Sequence, residues 1–323
     1  MNQNSLSDAA GIIRNSRSIL VMAHVNPDGD SLGCMLAIGS AMGQLDKYVV
    51  LLSPDGVTDT FKFLPGSGNV IKSIPDDDTF DLGIVVDCEN LERVGSASQY
   101  LSRCGTIMEI DHHPGTNRSD GVNLLDSDAA SSGDIVYKLL RELGVRITID
   151  IAECLMTAIV TDTGSFRFSN VKPDTLRNAA DLLEAGASTG IISQKVYDTR
   201  SLASVKLLGI ALGNIQLIAN GKVAWSFVSR ENLSETGAID SDTEGIVNYT
   251  RSIKGVLVGI LFNEAPNDVT RVSFRARDGY DISQIARKFG GGGHKAASGA
   301  TIEKPLNEAI QMVLDAVEQW MES

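Results

Sequence analysis

The chain has 323 residues, 43% of them hydrophobic and 21% charged, with a formal net charge of −13. That length accommodates one large domain and one smaller one. No apolar run reaches the ~18 residues needed to span a bilayer, and the acidic balance argues against a protein that coats long nucleic acid, because phosphate neutralisation needs basic surface.

Residues 6–15 read as a short leading helix, and 18–23 as a buried strand. The stretch His24-Val25-Asn26-Pro27-Asp28-Gly29-Asp30-Ser31 that follows is a loop by its Pro and Gly. Asp30 and Ser31 can cap the helix that runs on to about residue 42. Strands are predicted at 47–52, at 80–86 delivering Asp87, and at 104–110 delivering Asp111, His112 and His113 before Pro114 and Gly115. Helices follow at about 131–143 and 151–161, the second leading into Asp162.

Strands alternating with helices predict an α/β fold, with a parallel sheet covered by helices on both faces. Three strands release acids or histidines at their carboxyl ends, where doubly wound sheets bind ligands. No GxGxxG follows the first strand, so the site is not a dinucleotide cradle of the Rossmann kind.

From 173 to 212 the pattern is helical, with Gly186 and Gly190 as breaks. Strands at 215–219 and 223–228 flank Asn220-Gly221, a hairpin signal. Strands at 256–262 and 270–275 and helices at 282–288 and 306–321 complete a smaller α+β domain. The expected division is a metal-binding catalytic domain over 1–190, a helical connector over 191–213 and a substrate-binding domain over 214–323.

Charge is uneven. Residues 251–299 carry eight Lys and Arg against four acids, which gives +4 there and −17 elsewhere. A small basic region on an acidic body points to a compact anionic ligand. The four cysteines (Cys34, Cys88, Cys104, Cys154) stand singly in apolar segments with no CxxC pair, and residues 1–5 lack the features of a signal peptide. Both observations predict reduced thiols in a cytoplasmic protein.

All four histidines, His24, His112, His113 and His294, lie in Asp-rich or Gly-rich turns. His24, His112 and His113, with Asp28, Asp30, Asp87, Asp111 and Asp162, form a mixed imidazole and carboxylate set without thiolate. That set suits Mn²⁺, Mg²⁺ or Co²⁺ rather than structural zinc. One ion would leave several buried carboxylates unpaired, whereas two ions about 3.5–4 Å apart, bridged by a carboxylate, would satisfy them and activate a water against phosphorus.

These motifs, together with Gly290-Gly291-Gly292-Gly293-His294-Lys295-Ala296-Ala297-Ser298-Gly299, resemble the DHH phosphoesterase superfamily in its DHH plus DHHA1 form. Within it the chain is similar to the bacterial nano-RNA oligoribonucleases that also act on 3′-phosphoadenosine-5′-phosphate (pAp). The resemblance implies His24, Asp28 and Asp87 on one metal, and Asp30, Asp87, His112 and Asp162 on a second, with Asp87 bridging. It implies that His113 faces the scissile phosphate and that Asp111 orients an imidazole. It also implies substrate contacts from Arg275, Gly292, Gly293 and His294. The family often has Ser after that arginine, where this chain has Ala276.

Phe166 and Phe168 would serve the core or stack on a base, the core being favoured. The expected cofactors are two divalent ions, Mn²⁺ first. The expected partners are short RNA or nucleotides, with neither long nucleic acid nor membrane, and a homodimer is compatible. The rival activities are cleavage of cyclic or linear dinucleotides, of polyphosphate or of pyrophosphate, and an inactive nucleotide sensor.

Overall fold

The aliphatic runs of the first half pair into a six-stranded sheet. Its strands are β1 (Ser18–Met22), β2 (Tyr48–Leu52), β3 (Val70–Ile71), β4 (Phe80–Val86), β5 (Cys104–Asp111) and β6 (Val122–Leu125). Every pairing is parallel, in the order β3-β2-β1-β4-β5-β6. Strand order reverses between β1 and β4, so a crevice opens at their carboxyl ends. The computed structural model describes residues 5–75, 77–113 and 120–322, the side chains of His294 and Glu322 excepted. Pro114 and Gly115 lie outside the described residues.

Alternation along β1 shows why the sheet is covered twice. Ile19 and Val21 join the core of the α-helical face with Leu32, Met35, Leu155 and Ile159. Leu20 and Met22 pack the other way, onto Val94, Ala97 and Tyr100 from the 3₁₀ segment Leu91–Arg103. Neighbouring strand residues point to opposite faces, and a strand buried on both reads as a continuous apolar run.

The α-helical elements of this part are α1 (Leu6–Asn15), α2 (Gly29–Gln44), α3 (Ser132–Glu142), α4 (Ile149–Asp162), α5 (Pro173–Glu184) and α6 (Thr189–Tyr197). Helix α2 runs antiparallel against α4. A Cβ on Gly33 would collide with the Cys154 carbonyl oxygen, and one on Gly29 would lie 2.5 Å from Thr161 Cγ2. Two glycines one turn apart therefore let the backbones approach. The start of α2 is thereby set beside the end of α4, bringing the 28–30 segment to Asp162.

Residues Met1–Thr199 and Arg200–Ser323 form two compact units. The second contains α7 (Leu202–Gly213), β7 (Gln216–Ile218), β8 (Val223–Val228), α8 (Arg230–Thr236), α9 (Val247–Ser252), β9 (Val258–Ala265), β10 (Val269–Ala276), α10 (Ser283–Lys288), β11 (Gly292–His294), β12 (Ala297–Ile302) and α11 (Leu306–Glu322). Its sheet has the order β11-β12-β10-β9-β8-β7, parallel at β8/β9 and antiparallel at the other pairings. Ala309, Val313 and Val317, one helical turn apart on α11, bury against Phe262 and Phe274 of this sheet. The whole is the α/β plus α+β architecture expected.

Three local expectations change. Asp28, not Asp30 or Ser31, caps α2: its Oδ1 accepts from the Asp30 and Ser31 amides at 3.1 and 3.0 Å, and Ser31 Oγ accepts in return from the Asp28 amide. That leaves Asp30 inside the first turn. The break at Gly186 holds, between α5 and α6, whereas Gly190 lies within α6 and the next break falls at 198–201. The glycine run enters β11 at Gly292. Strand β6 and helices α8 and α9 were not foreseen, being too short to show a period. The four cysteines are free thiols, and no described helix is long and apolar enough to cross a membrane.

Replacing Gly33 with Ala should destabilise the first unit by about 1–3 kcal/mol, because its methyl meets backbone that cannot rotate away. Thermal unfolding should show a drop of roughly 2–4 °C per kcal/mol. An unchanged melting temperature would show that the two helices tolerate separation.

Candidate metal centre

Each predicted ligand of the first unit arrives at the carboxyl edge of the sheet by a local device. His24 follows β1 two residues beyond its end. Asp87 leaves β4 with a left-handed backbone (φ 56°), a conformation that Asp tolerates better than most residues. Its amide donates to the Ile110 carbonyl at 2.9 Å, which ties the turn to β5. Asp111 closes β5 and His112 and His113 follow. The buried Asp111 accepts from the His113 amide at 3.1 Å and lies 2.7 Å from His113 Nδ1. The loop thereby turns both neighbouring imidazoles toward one carboxylate, with ring centroids 4.6 Å apart.

Asp87 stands at the centre. Its Oδ2 lies 3.6 Å from His24 Nε2, and its Oδ1 lies 3.6 Å from both His112 Nε2 and His113 Nδ1. His24 Nε2 also faces Asp28 at 3.8 Å, and His112 Nε2 faces Asp30 at 3.8 Å and Asp162 at 3.3 Å. The donor atoms fall into three overlapping groups: His24 with Asp28 and Asp87, Asp30 with His112 and Asp162, and Asp87 with His112 and His113. Asp30, Asp87, His24 and His112 are buried, whereas the Asp28 side chain is half exposed.

These separations test whether a metal fits. They exceed the usual range of a hydrogen bond. They are what two atoms, each about 2.0–2.2 Å from a shared ion, would show. Both imidazoles are also oriented for ligation. His24 Nδ1 holds the Val25 carbonyl at 2.8 Å, and His112 is bonded to the Ala129 backbone, which leaves each Nε2 toward the carboxylates. The residues fit divalent ions.

Electrostatics agrees. Burial, reinforced by Asp87 and Asp162, pushes the Asp30 carboxyl well above its ordinary range. Burial, Asp87 and Asp28 do the same to Asp162. Asp28 differs, since against the effect of burial its bonds to His24 and Ser31 hold its carboxyl below the ordinary range; the raised pair, Asp30 and Asp162, is where a cation is called for. On His113 burial works against charge, but Asp111 and Asp87 outweigh it and raise the pKa to about 9.

Sequence reasoning missed two neighbours. Ser132, at the start of α3, donates its hydroxyl to Asp87 Oδ1 at 3.1 Å and its amide to Asp30 Oδ2 at 2.7 Å. Arg93 brings Nη2 to 3.4 Å from His24 Nδ1. Nothing in a lone Ser or Arg flags such a role before the fold is known. Phe166 packs against the core as favoured, whereas Phe168 is 41% exposed.

The predicted substrate contacts lie in the second unit. Arg275 on β10 pairs with Ala297 on β12, which pairs in turn with His294 on β11. Burial and the adjacent Arg251 guanidinium lower the Arg275 pKa from its ordinary value, with Glu244 opposing. Gly291 and Gly293 are required by β12, since a Cβ on Gly293 would lie 2.7 Å from the Ala297 carbonyl oxygen, whereas one on Gly292 would enter open space.

An α/β sheet with imidazoles and carboxylates converging at its switch point is the framework of a metal-dependent hydrolase. Comparison with known proteins makes this specific. The profile of the DHH family, N-terminal domain, matches residues 18–159, and that of the DHHA1 domain matches residues 220–323. The bifunctional oligoribonuclease and PAP phosphatase NrnA of Thermus thermophilus is 30% identical over 307 residues, covering 93% of this chain and 89% of its own. Its namesake in Bacillus subtilis is 29% identical over 301 residues, covering 92% and 93%. A solved exopolyphosphatase-related protein from Bacteroides fragilis superposes with a TM-score of 0.90 at 25% identity, covering 98% of this chain and 97% of that one. The chain belongs to the DHH family and is a phosphoesterase.

If ions relieve the carboxylate repulsion, they should stabilise the fold. Protein stripped with a chelator should melt several degrees below the same protein in Mn²⁺, since ligand at ~100 times its dissociation constant adds about 2.7 kcal/mol. Equal melting curves would mean that the carboxylates are neutralised by protons instead.

Proposed function

We propose that this protein is a two-metal-ion phosphoesterase that hydrolyses very short RNA to mononucleotides and removes the 3′-phosphate of pAp. The observation that carries the reading is Asp87, whose two oxygens face the imidazoles of His24 and His112 from opposite sides. We assign His24, Asp28 and Asp87 to one ion and Asp30, Asp87, His112 and Asp162 to the other. Mn²⁺ suits this set best, because imidazoles join the carboxylates. The named activities of the two NrnA relatives support the substrate assignment.

When bound, the ions supply Lewis-acid polarisation of phosphoryl oxygens and lower the pKa of water. The chain's own residues do the rest. Asp111 holds His113 Nδ1–H, fixing the ring and favouring its charged form, so that Nε2 carries a proton for a phosphoryl or leaving oxygen. Arg275, Gly292, Gly293 and His294 supply the nucleotide and phosphate contacts, the guanidinium by charge-assisted hydrogen bonds. With the catalytic unit over 1–190, a connector over 191–213 and a grip over 214–323, an acidic body handles an anion through its ions and one basic segment.

The deciding assay compares turnover of pAp, a dinucleotide, a 24-mer RNA, a cyclic dinucleotide and tripolyphosphate in Mn²⁺. The proposal expects the first two to lead. Fastest turnover of tripolyphosphate or of the cyclic dinucleotide would replace it.

Asp87→Ala should abolish turnover, because it strips ligands from both ions at once. A variant retaining a tenth of the wild-type rate in saturating Mn²⁺ would remove Asp87 from the shared position.

Arg275→Ala should lower kcat/KM on pAp or the dinucleotide roughly ten- to 150-fold, the worth of a charge-assisted hydrogen bond of about 1.5–3 kcal/mol. Hydrolysis of a small activated diester, which carries no nucleotide or second phosphate for that guanidinium to hold, should change little. Equal losses on both substrates would place Arg275 in the reacting centre.

A further inference from the structure

Ser132 stands where two of the converging carboxylates are held, and it does not touch them at random. Its hydroxyl donates to Asp87 Oδ1 at 3.1 Å, and its amide donates to Asp30 Oδ2 at 2.7 Å. The next amide, that of Gly133, takes the other Asp30 oxygen at 2.9 Å. The two oxygens that Ser132 touches are the ones turned toward His112, at 3.6 and 3.8 Å. Asp87 Oδ2, which faces His24, receives nothing from it. Ser132 is fully buried, so no water replaces its hydroxyl without a shift of α3.

We propose that Ser132 is a positioning residue for one ion of the pair. By fixing Asp87 Oδ1 and Asp30 Oδ2 from a single helix turn, it sets the affinity of the group made by Asp30, His112 and Asp162. The group of His24 and Asp28 is left to itself. This rests on the reading that Asp87 is shared between two ions.

The physical argument is one of preorganisation. A carboxylate free to rotate must lose that freedom, and settle beside its neighbours' charges, when an ion arrives. Asp87, held by the buried Ser132 O–H, and Asp30, held by two N–H groups, have their directions set by the fold. The hydrogen bonds also stabilise the ionised form that an ion requires. Because the contacts fall on one side of Asp87, their loss should be asymmetric.

The test is calorimetric titration of Mn²⁺ into metal-stripped protein, so that its readout is binding rather than turnover. Wild type should take up two ions. Ser132→Ala should weaken one step about ten- to 100-fold, the usual effect of removing a partner behind a metal ligand, and leave the other nearly unchanged. The weakened step should be the one that Asp30→Ala loses. Ser132→Thr, which keeps the hydroxyl, should stay close to wild type.

Ser131→Ala separates positioning from general loosening. It removes the α3 cap, in which Ser131 Oγ accepts from the Asp134 amide at 3.2 Å. It should lower the melting temperature while preserving both Mn²⁺ steps. The inference is overturned if Ser132→Ala binds both ions as wild type does, if both steps weaken equally, or if Ser131→Ala reproduces its effect. A wild type that takes up a single ion overturns the two-ion reading, and the inference with it.

Discussion

Four aspartates that must share a small, largely buried volume are the constraint around which the first unit is arranged. Asp28, Asp30, Asp87 and Asp162 converge from two loops and two helix ends, and like charges at such separations oppose each other strongly where water is scarce. The fold answers part of this with backbone dipoles. The start of α2 donates to Asp28, and the start of α3 donates to both oxygens of Asp30. Helix N-termini stabilise carboxylates, but these contacts hold two of the four. The rest of the repulsion calls for cations, and His24 and His112 turn their Nε2 atoms toward the space where cations would sit. Ions and carboxylates are then one electrostatic unit, which is why turnover and thermal stability should respond together to metal.

Convergence of residues so distant in sequence depends on helix packing. The sheet places His24, Asp87 and the Asp111 segment side by side, because β1, β4 and β5 are neighbours and parallel. Asp162 has no strand to deliver it. It reaches the site because α4 crosses α2 closely, and that crossing is close because Gly29 and Gly33 present no side chain to α4. Gly133 does the same for α3, where a Cβ would lie 2.7 Å from Ala158 Cβ. The glycines near the candidate metal ligands are packing residues, and the convergence is the outcome of the packing.

The sheet and the convergence of the candidate ligands were legible in the sequence because strand periodicity and Pro and Gly punctuation mark where strands end. A residue released just beyond such an end falls on the ligand-binding edge almost by construction. Capping was less legible. The sequence put the cap of α2 at Asp30 or Ser31, and only the backbone shows that Asp28 takes the position, with extended φ and ψ of −104° and −168°. Ser132 was invisible because its meaning lies in Asp30 and Asp87, which are 102 and 45 residues away. Short elements such as β6, α8 and α9 carry too few residues to show a period.

The glycine run shows a different limit. As sequence, the run Gly290 to Gly293 enters only through the family resemblance, which implies substrate contacts from Gly292 and Gly293. In the fold, β11 lies along β12, and the demands on these glycines separate. Gly291 and Gly293 are fixed by the neighbouring strand, since any Cβ there meets its backbone, and Gly293 also has φ of 125°. Gly292 has neither constraint. It pairs with Gly299, adopts an ordinary φ and faces open space. Sheet packing therefore accounts for two of the glycines and leaves Gly292 unexplained by the protein alone.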